Sequence, residues 1–353
     1  MTVPLRNLLK FIRKDVRYRV NKKEIIEQLK NRVSKNLLCK ADKARQDYVG
    51  NKIHIRGIIE FSNYCCRSCL YCGLRRENKS ITRYRMLPAE IIRLSNKIIQ
   101  SNIKTIILQS GDDFGFSRKT LCKIIGRIKK TNPEIAITLC IGERQFDDYK
   151  AFKDVGADRY LLKHETANSA LYKRLHPRQV LKTRLQILEY LKKLGYQIGA
   201  GNIVGLPGQT IEDLTDDILL LKDLAVEMAG IGPFIPQRDT PVANFPKGNL
   251  DLTLKVIALT RIITKNIHLP ATTALAALNS ENGQFLGLEA GCNVLMPDFT
   301  PEYCRQNYVI YDNKPRIDLK RAEQLISKAK RIISKDRGDT LKCKERQRAC
   351  VYT

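Results

Sequence analysis

Nowhere in the chain do about eighteen apolar residues run together, so no segment reads as a membrane-spanning helix. The opening MTVPLRNLLKFIRKDVRYRV also lacks the uninterrupted apolar core of a secretory signal. Its basic character invites an organellar targeting reading, but KKEIIEQLKNRV continues at helical period directly after it, which makes it part of the fold. A soluble, unsecreted, cytoplasmic chain without membrane contact is expected. Acidic residues are scarce: 36 Asp and Glu stand against 63 Lys and Arg, for a net charge of +27. Such an excess suits nucleic acid, yet there is no basic tail and no row of cations interleaved with aromatics. The Lys and Arg are spread from end to end among Ile and Asn, which solvated helix faces explain equally well. Nucleic acid is therefore not an expected partner. Histidine is rare too, at four residues.

No low-complexity linker divides the 353 residues, which are enough for one large α/β domain or two smaller ones. Short β-branched runs alternate with amphipathic stretches and recur about eight times. They begin at His54, Thr105, Ile135, Arg159, Ile198, Met228, Ile267 and Cys292. Helical patterns lie between them, including PAEIIRLSNKIIQS from Pro88, LKTRLQILEYLKKLG ending at Gly195, and a segment that Thr210 would cap. This repetition predicts an α/β fold: a closed (β/α)8 TIM-type barrel over 51–300, with an N-terminal helical extension over 1–50 and a C-terminal helical segment over 301–353 that closes it. Residues just past each strand should then face one another across the mouth, among them Ser62, Gln109, Ser110, Gly111, Cys140, His164, Glu165, Thr272 and Thr273.

Eleven cysteines, odd in number and unevenly placed, do not suggest a disulfide framework in a chain this long, so a reducing compartment is expected. Four of them crowd FSNYCCRSCLYCGLRREN, which contains no histidine. Cys65, Cys69 and Cys72 form C-x3-C-x2-C right after the first strand. A structural zinc site needs four ligands, and a fourth is missing here. An iron-sulfur cluster with one open iron fits three thiolates, with Gly73 and its flanking amides as donors to the sulfides. Cys66 lies inside the motif but off its spacing; Cys39, Cys122, Cys343 and Cys350 read as small buried hydrophobes.

This motif, with Tyr71 before its last cysteine, resembles the radical S-adenosylmethionine (SAM) superfamily. The resemblance implies one 4Fe-4S cluster on Cys65, Cys69 and Cys72, whose open iron binds the amino and carboxylate groups of SAM, and reductive cleavage of SAM to an adenosyl radical. It further implies a SAM pocket that includes Tyr71. Ser110, Gly111 and Asp112 stand where the superfamily places a Gly-Gly-Glu-like segment, Glu165 would accept from the ribose, and Arg184 would pair with the SAM carboxylate. The glycines of GNIVGLPGQT would let the backbone approach the adenine edge. The plainer alternatives are a Glu165–Arg184 rim ion pair and glycines that only turn the chain.

Longer strings, among them IIEFSNYCCRSCLYCGLRREN, GADRYLLKHETAN and GIGPFIPQRDTPVAN, resemble the FeFe-hydrogenase maturase family HydE from about Tyr48 to Tyr311. That resemblance implies action on a cysteine-bound iron carbonyl cyanide complex, received from the maturase HydG and passed on towards HydF. An electron donor such as a ferredoxin or flavodoxin is implied as well. The cavity wall would include Ser110, Thr138, Cys140, Lys163, Met228, Thr272 and Thr273. The chain departs from the family at several points. YDNKPRIDLKRAEQLISKAK carries no cysteine where some members hold a second cluster. Asp112 replaces a Glu, Lys163 an Arg, and Cys304 a Tyr. Alternatives are a radical SAM enzyme acting on a small amino acid, like methylornithine synthase or biotin synthase, and a non-enzymatic iron-sulfur redox or nucleic-acid-binding protein.

Overall fold

The computed structural model describes residues 21–340. The basic opening, Cys343 and Cys350 lie outside them. Strands β1 (Lys52–Ile55) and β2 (Gly57–Ser62) are one stave interrupted at Arg56, and they are followed by β3 (Thr105–Ser110), β4 (Ala136–Cys140) and β5 (Arg159–Leu161). Further on lie β6 (Gln197–Ala200), β7 (Ile203–Val204), β8 (Met228–Ala229), β9 (Gly232–Pro233), β10 (Val294–Leu295) and β11 (Ile332–Ile333). The order β2-β3-β4-β5-β6-β8 is parallel throughout. Single parallel bridges Met228–His268 and Pro270–Val294 carry the sheet on to β10, which pairs with β1, and Ile58–Asp298 closes the ring. The fold is the TIM-type (β/α)8 barrel read from the sequence.

Alternation along each strand sorts the side chains. Ile59, Phe61, Ile106, Leu108, Ile137, Leu139, Tyr160 and Ile198 point outward and are buried in the helical layer. Ile58, Glu60, Ile107, Gln109, Thr138 and Cys140 point inward and line a cavity of about 390 Å³. The helices begin as the sequence indicates. Thr210 and Asp213 form a reciprocal capping box, 3.1 and 2.8 Å, at the start of Ile211–Asp223, where Glu212 and Asp213 also suit the helix dipole. Among the described residues no helix is long and apolar enough to cross a membrane.

Helices Lys22–Lys30 and Lys35–Val49 pack on Leu250–Thr264. The C-terminal part is less helical than its pattern suggests. Besides Glu302–Arg305 and Leu319–Lys328 it contributes β11, which extends the sheet by pairing with β1. Beyond β11 the chain crosses the barrel's floor, where buried Arg159 donates to Asp339 at 2.9 Å and Gln197 holds the same carboxylate at 2.5 Å. Between the two C-terminal helices a strap, 307–315, crosses the mouth. Asn63 holds its Asn307 carbonyl, the Gly73 amide its Ile310 carbonyl, and Thr273 its Tyr311 hydroxyl.

Candidate active site

The three thiols of the C-x3-C-x2-C motif sit on the loop after β2 and open onto one end of the cavity. Burial pushes each of them up to about 12, so they are neutral thiols until a metal displaces the proton. Cys65 Sγ accepts from the amides of Arg67 and Asp112, both at 3.4 Å, and Cys69 Sγ faces the Gln179 amide nitrogen at 3.6 Å. Soft donors already supplied with N–H groups fit a thiolate-held cluster. Among the described residues no group of His, Cys, Asp or Glu is gathered tightly enough for a single metal ion, which is the arrangement a zinc site would need.

Gly73 serves a different purpose from the one expected. Its amide donates to Ile310 O at 3.1 Å, and a Cβ there would stand 2.0 Å from the Val309 carbonyl. The glycine lets the strap lie on the cysteine loop. Cys66 is exposed and off the cavity wall. Cys39 is exposed too, so it is no core residue, while half-buried Cys122 packs on the helical core.

Twelve side-chain or backbone positions expected to bind SAM or substrate line this one cavity: Tyr71, Ser110, Gly111, Asp112, Glu165 and Arg184, with Thr138, Cys140, Lys163, Met228, Thr272 and Thr273. The His176 Nδ1 faces a carbonyl and must carry the proton, so Nε2 accepts from the Tyr71 hydroxyl at 2.8 Å. Burial works to raise the Glu165 carboxyl, but Lys163, whose Nζ stands 3.0 Å from it, outweighs burial together with His176 and Arg184 and holds it below its ordinary value. Asp112 receives Arg67 at 2.6 Å and the Glu143 amide at 3.1 Å, and packs so closely on Gly142 that no side chain fits there. Arg184 spends three donors on Glu143, the Lys163 carbonyl and Gln179, leaving one N–H on each terminal nitrogen. The simple Glu165–Arg184 rim pair is therefore not what forms.

Other expectations need correction. Ser62 is buried and donates to Asp113, and His164 is buried beside Asp217, so neither faces the mouth. Gly205 and Gly208, at φ +89° and +79°, abut Gly248 and Arg174 and turn the chain away from the cavity wall. Cys304 is buried in the core, off the cavity, so its departure from the family leaves the wall untouched. The sequence reading missed Arg56, whose guanidinium reaches Met228 Sδ at 2.9 Å, and the Glu60–Lys314 pair inside the cavity. It also missed Glu143, which bridges Arg67 and Arg184 at 3.0 and 2.9 Å. Inward alternation from β2 could have flagged Glu60; nothing local marks the others.

A barrel whose first loop presents three thiols to its central cavity defines a class, and the radical SAM superfamily's sequence pattern matches residues 59–221. The protein is a radical SAM enzyme. Within that class, it is 50% identical to the [FeFe] hydrogenase maturase subunit HydE of Thermotoga maritima over 274 residues, 78% of each chain. The chain belongs to the HydE family. It is also 27% identical to 3-methylornithine synthase of Methanosarcina acetivorans over 72% of both chains. The crystal structure of methylornithine synthase (PylB) shares the fold at a TM-score of 0.81 and 22% identity, over 91% of this chain and 96% of that one. The maturase HydG superimposes at 0.74 with 18% identity, over 92% and 80%.

Proposed function

We propose that this cytoplasmic enzyme acts in [FeFe] hydrogenase maturation, on a cysteine-bound iron carbonyl cyanide complex that becomes part of the two-iron subcluster. The observation that carries the reading is the convergence of the three thiols, the SAM-type side chains and the substrate-wall residues on one cavity in a chain half identical to HydE. Cys65, Cys69 and Cys72 would hold a 4Fe-4S cluster. Bound there and reduced by a donor such as a ferredoxin or flavodoxin, such a cluster would supply the electron for cleavage of SAM to an adenosyl radical. Arg184 keeps two N–H groups for the SAM carboxylate, Asp112 is oriented for the ammonium by Arg67, and ionised Glu165 accepts from ribose hydroxyls. Thr138, Cys140, Met228, Thr272 and Thr273 shape the wall around the substrate, and Thr138 Oγ1 is buried without a partner among the described residues. Lys163 offers the substrate a point charge. The strap across the mouth and the segment across the floor would restrict the entry of water, which protects a reactive radical from quenching. HydG is the proposed supplier and HydF the proposed recipient.

Low-temperature EPR on anaerobically reconstituted, dithionite-reduced protein tests this. The expected 4Fe-4S signal changes when SAM is added, and deoxyadenosine accumulates. A signal indifferent to SAM refutes the enzyme reading in favour of a redox protein.

A further inference from the structure

Three side chains stand in series from the end of β4, through the start of helix Leu181–Lys193, to the cysteine loop. Glu143, just past β4, accepts Arg184 Nε on Oε1 at 2.9 Å and Arg67 on Oε2 at 3.0 Å. Arg184 in turn donates Nη2 to Gln179 Oε1 at 3.1 Å. An arginine can only donate, so the amide of Gln179 is fixed with its oxygen toward Arg184 and its nitrogen toward Cys69 Sγ, 3.6 Å away. Gln179 is 6% exposed, so its amide is shielded from bulk water on the side away from the cavity. Cys65 receives only backbone donors, from Arg67 and Asp112. Among the described residues, the Gln179 amide is the side-chain donor to a motif sulfur.

We propose that Gln179, held in place by Arg184 and Glu143, tunes the redox behaviour of the cluster by donating a hydrogen bond to the Cys69 thiolate. The inference rests on the cluster reading above. Reduction by one electron from a low-potential donor makes the cluster and its thiolates more negative. A donor to the sulfur is bound more strongly in that state, so it favours the reduced form. Glu143 reaches this bond through Arg184: it is a positioning residue, and so is Arg184 with respect to this bond.

The test is an EPR-monitored titration of the reconstituted full-length chain with dithionite and mediators, for wild type and Gln179→Leu. The leucine variant is expected to keep its iron content but to show an about tenfold lower reduced-to-oxidised ratio at the wild-type midpoint, equivalent to about 59 mV downward for one electron. If it holds no cluster, Gln179→Asn, polar but one methylene too short to reach the sulfur, is titrated in its place with the same expected shift. Glu143→Gln, which weakens the hold on Arg184, should change the midpoint without loss of iron. An unchanged midpoint in the Gln179 variants overturns the inference and leaves the cluster assignment standing. A wild-type chain that assembles no EPR-active cluster overturns both.

Discussion

Glu60 and Lys314 make the most demanding test of the barrel's electrostatics. Glu60 is 1% exposed on the inner face of β2, and both its carboxylate oxygens lie 2.6 Å from the Lys314 ammonium. Burial lifts the Glu60 carboxyl from 4.5 to about 7 even though Lys314 pulls the other way. The folded protein therefore holds this proton more tightly than the unfolded chain, and stability must fall as pH rises between 4.5 and about 7. At ~1.36 kcal/mol per pH unit the loss is about 3 kcal/mol across that window. Replacing both partners, Glu60→Gln with Lys314→Met, should flatten this part of the profile. Lys314→Met alone leaves a buried carboxylate unpaired, and should cost ~3–5 kcal/mol at pH 8 but little at pH 5, where the carboxyl is neutral. Anaerobic urea denaturation at pH 5, 6, 7 and 8, followed by far-UV circular dichroism, measures all three proteins. If the double variant declines with pH as steeply as wild type, the linkage does not reside at Glu60.

Cys69→Ala should abolish SAM cleavage while far-UV circular dichroism stays that of a folded barrel; retained cleavage would dismiss the cluster assignment. Lys163→Met removes the charge that holds Glu165 ionised, so burial will raise that carboxyl. SAM binding by equilibrium dialysis should then weaken several-fold more at pH 6 than at pH 8, a difference absent in wild type. Gly73→Ala forces a Cβ against the Val309 carbonyl and should shift the strap at a cost of ~1–3 kcal/mol, seen as faster hydrogen exchange over 307–313. Thr210→Ala, which deletes half of a capping box, should cost ~1 kcal/mol in the same urea assay.

The barrel was legible because its evidence is local. Short β-branched runs such as TIILQS and helical runs such as LKTRLQILEYLKK state their own conformation, and their repetition leaves few ways to bury every apolar face. The cysteine motif was legible for the same reason, since its spacing lies within one loop. The β1/β2 break was not, because an inward arginine at 56 looks like any alternating polar residue until Met228, 172 positions away, is seen beneath it. Glu143 in CIGERQ reads as a solvated loop residue. Its partners stand 76 residues before it and 41 after it. Lys314 meets Glu60 across 254 positions. Period and spacing say which face a side chain takes, but only closure of the ring says which remote charge it meets there. Lys163, in place of the family's Arg, carries this distinction into the chemistry. From sequence alone it was a substrate anchor with a blunter charge. In the barrel it is also the counter-charge of Glu165, so one residue on the proposed substrate wall sets the ionisation of the proposed ribose acceptor. On that proposal, a change made there for substrate recognition is expected to alter cofactor binding as well.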